Sequence, residues 1–111
     1  MDTWHLWTSD ISWDDVAAVD PALICCVHLG DTEPKKGAVW SDDDRTALPG
    51  DGVLPLRDAI DAIRATGYDG VWSVEILGSR PREWDPATLA GELITRARGL
   101  LRDPSATETE D

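Results

Sequence analysis

The sequence contains little that would let it bind polyanions or cross a membrane. Lysine and arginine together number 10 against 22 acidic residues, which gives the 111-residue chain a formal net charge of −12. A surface this acidic repels nucleic-acid phosphates and anionic lipid, so neither is an expected partner. The longest uninterrupted apolar stretch, Ala22 to Val27, is far too short to span a bilayer.

Cysteine is also scarce, and its placement argues against a disulfide. The two cysteines, Cys25 and Cys26, are adjacent in an apparent strand, where neighbouring side chains point to opposite faces. We therefore expect two reduced, buried thiols. The N-terminus also lacks a basic segment followed by a long apolar region, so we expect no secretory signal and a cytoplasmic protein.

The length of the chain supports one compact domain with one core. Its apolar fraction of 41% and charged fraction of 29% are typical of a globular protein. We expect this domain to cover residues 1–102. The remaining segment, 103–111, is polar and acidic and has no periodicity, so we expect a disordered tail.

Helical and strand patterns alternate through the first part of the domain. Residues Asp2 to Leu6 are expected to be extended or a loop, and Ser12 is a suitable N-cap for a helix over 13–19. The run from Leu23 to Leu29 is continuously apolar until its histidine, which is typical of a strand buried on both faces of a parallel sheet.

The same alternation continues after a long loop over residues 30–52. A helix ending near Gly67 is followed by a predicted strand over 70–77, in which Glu75 is the only charge, and Asp85 caps a last helix. The apolar faces expected to be buried comprise Leu56, Ile60 and Ile63 in the first helix, and Leu89, Leu93, Ala97 and Leu100 in the second. This order predicts an α/β fold with parallel strands and right-handed crossovers.

Three polar residues, Asp2, His28 and Glu75, lie at or just after the carboxyl ends of apparent strands. Ligands bind at this end of the sheet in α/β folds, and one imidazole with carboxylates suits Mn²⁺, Mg²⁺, Co²⁺ or Zn²⁺. The residues alone leave two alternatives open. In one, Glu75 forms an ion pair with Arg45 or Arg80, or simply reaches solvent; in the other, His28 donates to a backbone carbonyl.

Two further residues are candidates for binding a substrate. His5 follows Asp2 closely, and the neighbouring tryptophans indicate that this segment packs against the protein. Arg45 follows three aspartates, and its planar guanidinium suits a substrate hydroxyl, carboxylate or phosphate. On composition alone, a solvated ion-pair cluster is the favoured interpretation of Arg45.

Four motifs occur in a fixed order: DTWHLW from Asp2, VHL-x-D from Val27, R-x-x-x-PG-x-G from Arg45 and GYDG-x-x-SVE from Gly67. Together they resemble the C-terminal part of the sugar phosphate isomerase/epimerase family, whose fold is a xylose isomerase-like TIM barrel. The resemblance covers nearly the whole domain. It implies an α/β fold that is the C-terminal portion of a (β/α)8 barrel, with about three strand–helix units.

The resemblance also implies roles for five residues. Family members bind one divalent metal ion, often Mn²⁺, Mg²⁺ or Co²⁺, and Asp2, His28 and Glu75 match three of its ligands. His5 and Arg45 match residues that contact the substrate, a small sugar or polyol. Glu75 also matches a glutamate that moves a proton through an enediolate, acting as an acid/base catalyst.

A whole barrel needs about 250 residues, and the family's remaining glutamate ligand lies on an earlier strand than any in this chain. The resemblance therefore implies part of a barrel, which could be a truncated gene product, a chain whose true start lies upstream, or an assembly completed by a homo-oligomer or by a partner. The alternatives are a non-catalytic barrel remnant that oligomerises or docks on another subunit, and an inosose dehydratase-type lyase. DNA repair at abasic sites, which occurs in the same superfamily, is disfavoured by the charge of −12.

Overall fold

Two short parallel strands form the centre of the computed structural model. Strand β1 (Val27–Leu29) pairs with β2 (Trp72–Val74), and His28 lies opposite Ser73. Asp2 forms an isolated parallel bridge with His28. The His28 N–H donates to Met1, whereas the flanking Val27 N–H donates to Val71, so Asp2 and β2 lie on opposite edges of β1.

Four α-helices occur in the described residues, 1–102, together with these strands. They are α1 (Thr3–Thr8), α2 (Trp13–Ala17), α3 (Leu56–Ala65) and α4 (Pro86–Leu101). Short 3₁₀ helices lie in the connections at Pro21–Leu23, Asp42–Asp44 and Arg80–Glu83. The structure describes residues 1–102, and none of the helices in that range has the length and apolarity needed to cross a bilayer. The predicted tail at 103–111 lies outside the described residues.

Side-chain caps fix the starts of three helices. The carboxylate of Asp2 accepts from the His5 N–H at the start of α1, and the Ser12 hydroxyl accepts from a backbone N–H at the start of α2. Asp85 does the same for α4, in which Pro86 is the first residue. Each cap satisfies a backbone donor that the helix itself leaves unpaired. The predicted caps Ser12 and Asp85 are confirmed.

Helix α3 contributes to both apolar clusters of the core. The stripe of Leu56, Ile60 and Ile63 is buried, as predicted. One cluster contains Trp4, Leu29, Leu54, Leu56, Ala59 and Ile60. The other contains Val16, Ile24, Val27, Ala62, Ile63 and Tyr68. The β1 residues Val27 and Leu29 therefore anchor one cluster each.

The first predicted segment is wrong in its secondary structure. Residues after Asp2 form helix α1 rather than an extended segment or a loop, and only Asp2 itself keeps extended backbone. The reason is the cap: a carboxylate directly before Thr3 satisfies the first turn of a helix.

The predicted strand from Leu23 to Leu29 is too long. Pro21 starts a 3₁₀ helix that includes Leu23, whose side chain is 76% exposed, and β1 begins only at Val27. Proline favours the first turn of a helix because its φ is already helical. The prediction of buried thiols is also wrong, because Cys25 is exposed and Cys26 is half-buried, although both are free.

Two predictions in the second half also need correction. Strand β2 covers Trp72–Val74 rather than 70–77. The expected buried face of α4 is only half-buried at Leu89, Leu93, Ala97 and Leu100. Helix α4 packs against β2 and α3. Because the described sheet has only two strands, these contacts cover only part of the apolar face of α4.

Candidate metal centre

The pairing of the strands brings three distant residues to one place. Asp2 and His28 are bridge partners, so their side chains lie side by side. Ser73 is the partner of His28, and Glu75 lies two residues further along, on the same face. The Glu75 N–H donates to the Leu29 carbonyl over 3.0 Å, which continues the ladder and fixes the backbone of Glu75.

The three side chains converge closely enough to share one cation. His28 Nδ1 lies 2.9 Å from Glu75 Oε2 and 3.8 Å from Asp2 Oδ2. One ligand atom from each of the three residues lies within 4.8 Å of the other two. A set of one imidazole nitrogen and two carboxylates is a chemically suitable donor set for a divalent metal ion such as Mn²⁺, Co²⁺ or Zn²⁺.

Arg45 joins the same cluster from the long loop. Its Nη2 atom donates to Glu75 Oε1 over 3.0 Å and to Asp2 Oδ2 over 3.3 Å. The side chain is only 4% exposed, and its guanidinium lies 4.5 Å from the centre of the Trp4 ring. The interpretation of Arg45 as part of a solvated ion-pair cluster is therefore wrong.

The open alternatives for Glu75 are settled by these contacts. Glu75 pairs with Arg45, whereas Arg80 pairs with Glu33 on the surface. The ion pair and the convergence on His28 involve different oxygens of the same carboxylate, since Oε1 faces Arg45 and Oε2 faces His28. The ion pair thus coexists with the cluster.

Backbone hydrogen bonds on both sides hold Arg45 in place. The Leu77 N–H donates to the Arg45 carbonyl over 3.1 Å, just beyond β2. The preceding carbonyl, that of Asp44, accepts from the Glu33 N–H at 2.7 Å and from the Thr32 hydroxyl at 2.9 Å. Arg45 is therefore fixed to the segments that follow both strands.

Asp31 organises the loop that follows β1, a role that is not among those predicted from the sequence. Its buried carboxylate accepts four backbone N–H groups, those of Thr32, Gly50, Gly52 and Leu54. A Cβ atom at Gly52 would clash with the Thr32 carbonyl and with this carboxylate. The paired glycines were the signal for it, because glycine allows close approach of the backbone to another group.

His5 is not a member of the three-residue cluster. Its backbone N–H donates to Asp2 Oδ1. Its ring lies edge-on to that of Trp4, with 5.0 Å between the ring centroids, and the residue is exposed at the surface. His5 therefore lies one helical turn from Asp2 and is not among the three residues whose ligand atoms converge.

The cluster is accessible, and its carboxylates outnumber its guanidinium. The side chains of Asp2 and Glu75 are 15% and 32% exposed, and that of His28 is 41% exposed. The cluster holds two carboxylates against the one guanidinium of Arg45, which favours a cation at this position. The second ring nitrogen of His28, Nε2, lies 3.9 Å from Cys26 Sγ.

Comparison with known proteins agrees with this architecture. The family model of the xylose isomerase-like TIM barrel matches residues 1–100. The chain belongs to this family. An inosose isomerase from Halalkalibacterium halodurans is 29% identical over 76 residues, which are 68% of this chain and 27% of that protein. The resemblance inferred from the four sequence motifs is confirmed.

Solved structures of this barrel family superpose on the chain. The IOLI protein, solved with a bound zinc atom, gives a TM-score of 0.84 at 21% identity and covers 91% of this chain. A xylose isomerase domain protein from Alicyclobacillus acidocaldarius gives 0.77 at 27% identity over 90% of this chain. The chain spans 36% and 35% of these two structures. The described fold is therefore part of a TIM barrel, as predicted.

Proposed function

We propose that the chain provides the metal-binding and proton-transferring part of a sugar isomerase or epimerase that acts on a ketose or a polyol-derived substrate in the cytoplasm. The observation that carries this proposal is the convergence of Asp2, His28 and Glu75, whose ligand atoms lie within 4.8 Å of one another. Membership of the xylose isomerase-like family and the inosose isomerase relative support the choice of substrate class.

Asp2, His28 and Glu75 would hold one divalent cation, for which Mn²⁺, Mg²⁺ and Co²⁺ are the leading candidates. The zinc atom in the IOLI structure supports the choice of a divalent cation. Such a cation supplies electrostatic stabilisation of a substrate oxygen that becomes negative when a neighbouring carbon loses its proton.

The remaining chemistry belongs to the side chains around that position. Glu75 is the proposed acid/base catalyst, because its carboxylate is half-buried and is held from both sides by His28 and Arg45. Arg45 keeps guanidinium nitrogens beside the carboxylates and is proposed to orient substrate hydroxyls. His5, exposed one turn from Asp2, is a proposed substrate contact.

We also propose that the site works inside a completed barrel. The described sheet has two strands, whereas a TIM barrel has eight. Further copies of the chain or other polypeptide segments would supply the other six strands and a further carboxylate ligand. Such closure would also cover the half-exposed apolar residues of α4.

A second candidate function is a non-catalytic barrel piece that docks on another subunit. The half-exposed apolar face of α4 and the exposed side chains of Val71 and Ile94 favour it. An inosose dehydratase-type lyase is a third candidate, because the same carboxylates and cation suit removal of water next to a ketone.

Manganese binding by the Glu75→Gln variant tests the main proposal. Titration calorimetry of the full chain should show one Mn²⁺ per chain, with at least about tenfold weaker binding in the variant because a charged ligand is lost. Glu83→Gln is the matched control, since Glu83 is exposed in the 3₁₀ helix before α4. Equal binding by wild type and Glu75→Gln would refute the proposed centre.

Activity and assembly separate the three candidates. Ketoses and inososes would be incubated with the chain and Mn²⁺, and products resolved as epimer, isomer or dehydrated ketone. The isomerase proposal predicts epimerisation or isomerisation that is lost in Glu75→Gln, in an assembly that light scattering shows to be larger than one chain. Dehydration would favour the lyase, and an inactive chain that binds no Mn²⁺ would favour the docking piece.

A further inference from the structure

We propose that Arg45 is a built-in counterion of the candidate centre, which holds the carboxylates of Asp2 and Glu75 together without a metal ion and limits how tightly a divalent cation binds. The inference deepens the proposed function, because it rests on the same cation site. It concerns the affinity of that site and the stability of the metal-free protein.

The first support is that packing and a backbone hydrogen bond hold Arg45 beside the two carboxylates. Its side chain is 4% exposed and packs on the Trp4 ring at 4.5 Å. Its carbonyl accepts from the Leu77 N–H, so its backbone is tied to the segment after β2. An arginine held in this way differs from a flexible surface residue, which loses side-chain entropy whenever it forms an ion pair.

The second support is the sharing of carboxylate oxygens. Asp2 uses Oδ1 to cap the His5 N–H, so Oδ2 is the oxygen that faces both Arg45 and His28. Glu75 uses Oε1 for Arg45 and Oε2 for His28. A cation bound between His28 and the carboxylates must therefore share Asp2 Oδ2 with the guanidinium or displace it.

Both outcomes weaken cation binding. If the guanidinium stays, its positive charge remains next to the cation, and two like charges a few ångströms apart in a partly buried site repel strongly. If it moves, a partly buried pair of contacts to both carboxylates must first be broken. In the absence of a cation, the same guanidinium offsets the repulsion between the two carboxylates.

The test compares Arg45→Met with wild type, using Mn²⁺ alone as the ligand. Methionine keeps an apolar stem against Trp4 but removes the charge. We expect Arg45→Met to bind Mn²⁺ about tenfold more tightly or better, and to unfold at a lower temperature than wild type in the presence of EDTA. Added Mn²⁺ should raise the unfolding temperature of this variant by more than it raises that of wild type.

Arg45→Lys provides a second variant that keeps the charge. It is expected to fold and to bind Mn²⁺ with an affinity close to that of wild type. If Arg45→Met folds with Mn²⁺ but not in EDTA, that result also supports the proposal, and Arg45→Lys then serves as the variant compared with wild type. Arg80→Met is the matched control, because Arg80 pairs with Glu33 at the surface, and it should leave Mn²⁺ affinity unchanged.

The outcomes distinguish this inference from the proposed function. If wild type binds Mn²⁺ and Arg45→Met binds it equally or more weakly, Arg45 does not limit cation affinity and the inference is wrong. If neither wild type nor Arg45→Met binds Mn²⁺, the cation centre itself is refuted. An Arg45→Met protein as stable as wild type in EDTA would show that the guanidinium does not hold the carboxylates together.

Discussion

Replacing Asp31 with asparagine should destabilise the loop that carries Arg45 far more than its conservative size suggests. Each oxygen of the Asp31 carboxylate accepts two backbone N–H groups: Oδ1 those of Thr32 and Leu54, and Oδ2 those of Gly50 and Gly52. An asparagine keeps one oxygen. Whichever way its amide turns, an NH₂ group then faces two N–H donors.

The magnitude follows from the number of bonds lost. A hydrogen bond to a charged group contributes about 1.5–3 kcal/mol. Losing two of them, with some relaxation of the loop, should lower the free energy of unfolding by about 3 kcal/mol. Because small domains are stable by only about 5–15 kcal/mol, the loss would be a large fraction of the total.

Urea denaturation followed by tryptophan fluorescence measures this change. Asp43→Asn is the matched control, because Asp43 is exposed in the same loop, and it should stay within about 0.5 kcal/mol of wild type. Gly52→Ala should destabilise the same contact from the other side, because its Cβ would clash with Asp31. An Asp31→Asn protein as stable as its control would refute this account of the loop.

Two further predictions concern the core and the last helix. Leu29→Ala should lower the free energy of unfolding, measured by urea denaturation, by about 2–5 kcal/mol, because Leu29 is fully buried. Leu23→Ala in the same apolar run should lower it far less, since Leu23 is 76% exposed. Equal losses in the two variants would contradict the assignment of β1. Hydrogen bonds from Thr88, chiefly from its backbone N–H and next from its hydroxyl, hold the pKa of Asp85 below its usual value. The cap therefore stabilises the fold at pH values above the pKa that Asp85 has in the unfolded chain. This stabilisation is lost as the pH falls through the pKa that Asp85 has in the folded protein. Wild type should therefore exceed Asp85→Ala in stability near neutral pH and lose that advantage in acid, and a pH-independent difference would contradict it.

The elements that sequence could predict are those with regular patterns. The stripe of Leu56, Ile60 and Ile63 has the period of a helix, and all three side chains are buried in α3. The convergence of Asp2, His28 and Glu75 was predictable because the carboxyl ends of parallel strands meet at one edge of the sheet.

Other features depend on contacts that no local pattern encodes. Arg45 lies next to three aspartates in sequence, yet it pairs with Asp2, 43 residues away, and with Glu75, 30 residues away. Composition favoured a solvated cluster for Arg45, and its pair with Glu75 was only one of the open alternatives, because the tertiary fold decides which of several charges meet. Helix α1 was missed for a related reason: Asp2 was interpreted only as a site residue, although it is also the N-cap.

The most direct measurement of the central claim is the position of a bound cation. Anomalous diffraction from a crystal of the chain grown with Mn²⁺ should show one peak at about 2.0–2.3 Å from His28 Nδ1 and from a carboxylate oxygen of both Asp2 and Glu75. A peak at other residues, or none at this position under saturating Mn²⁺, would contradict the claim that these three side chains form a metal centre.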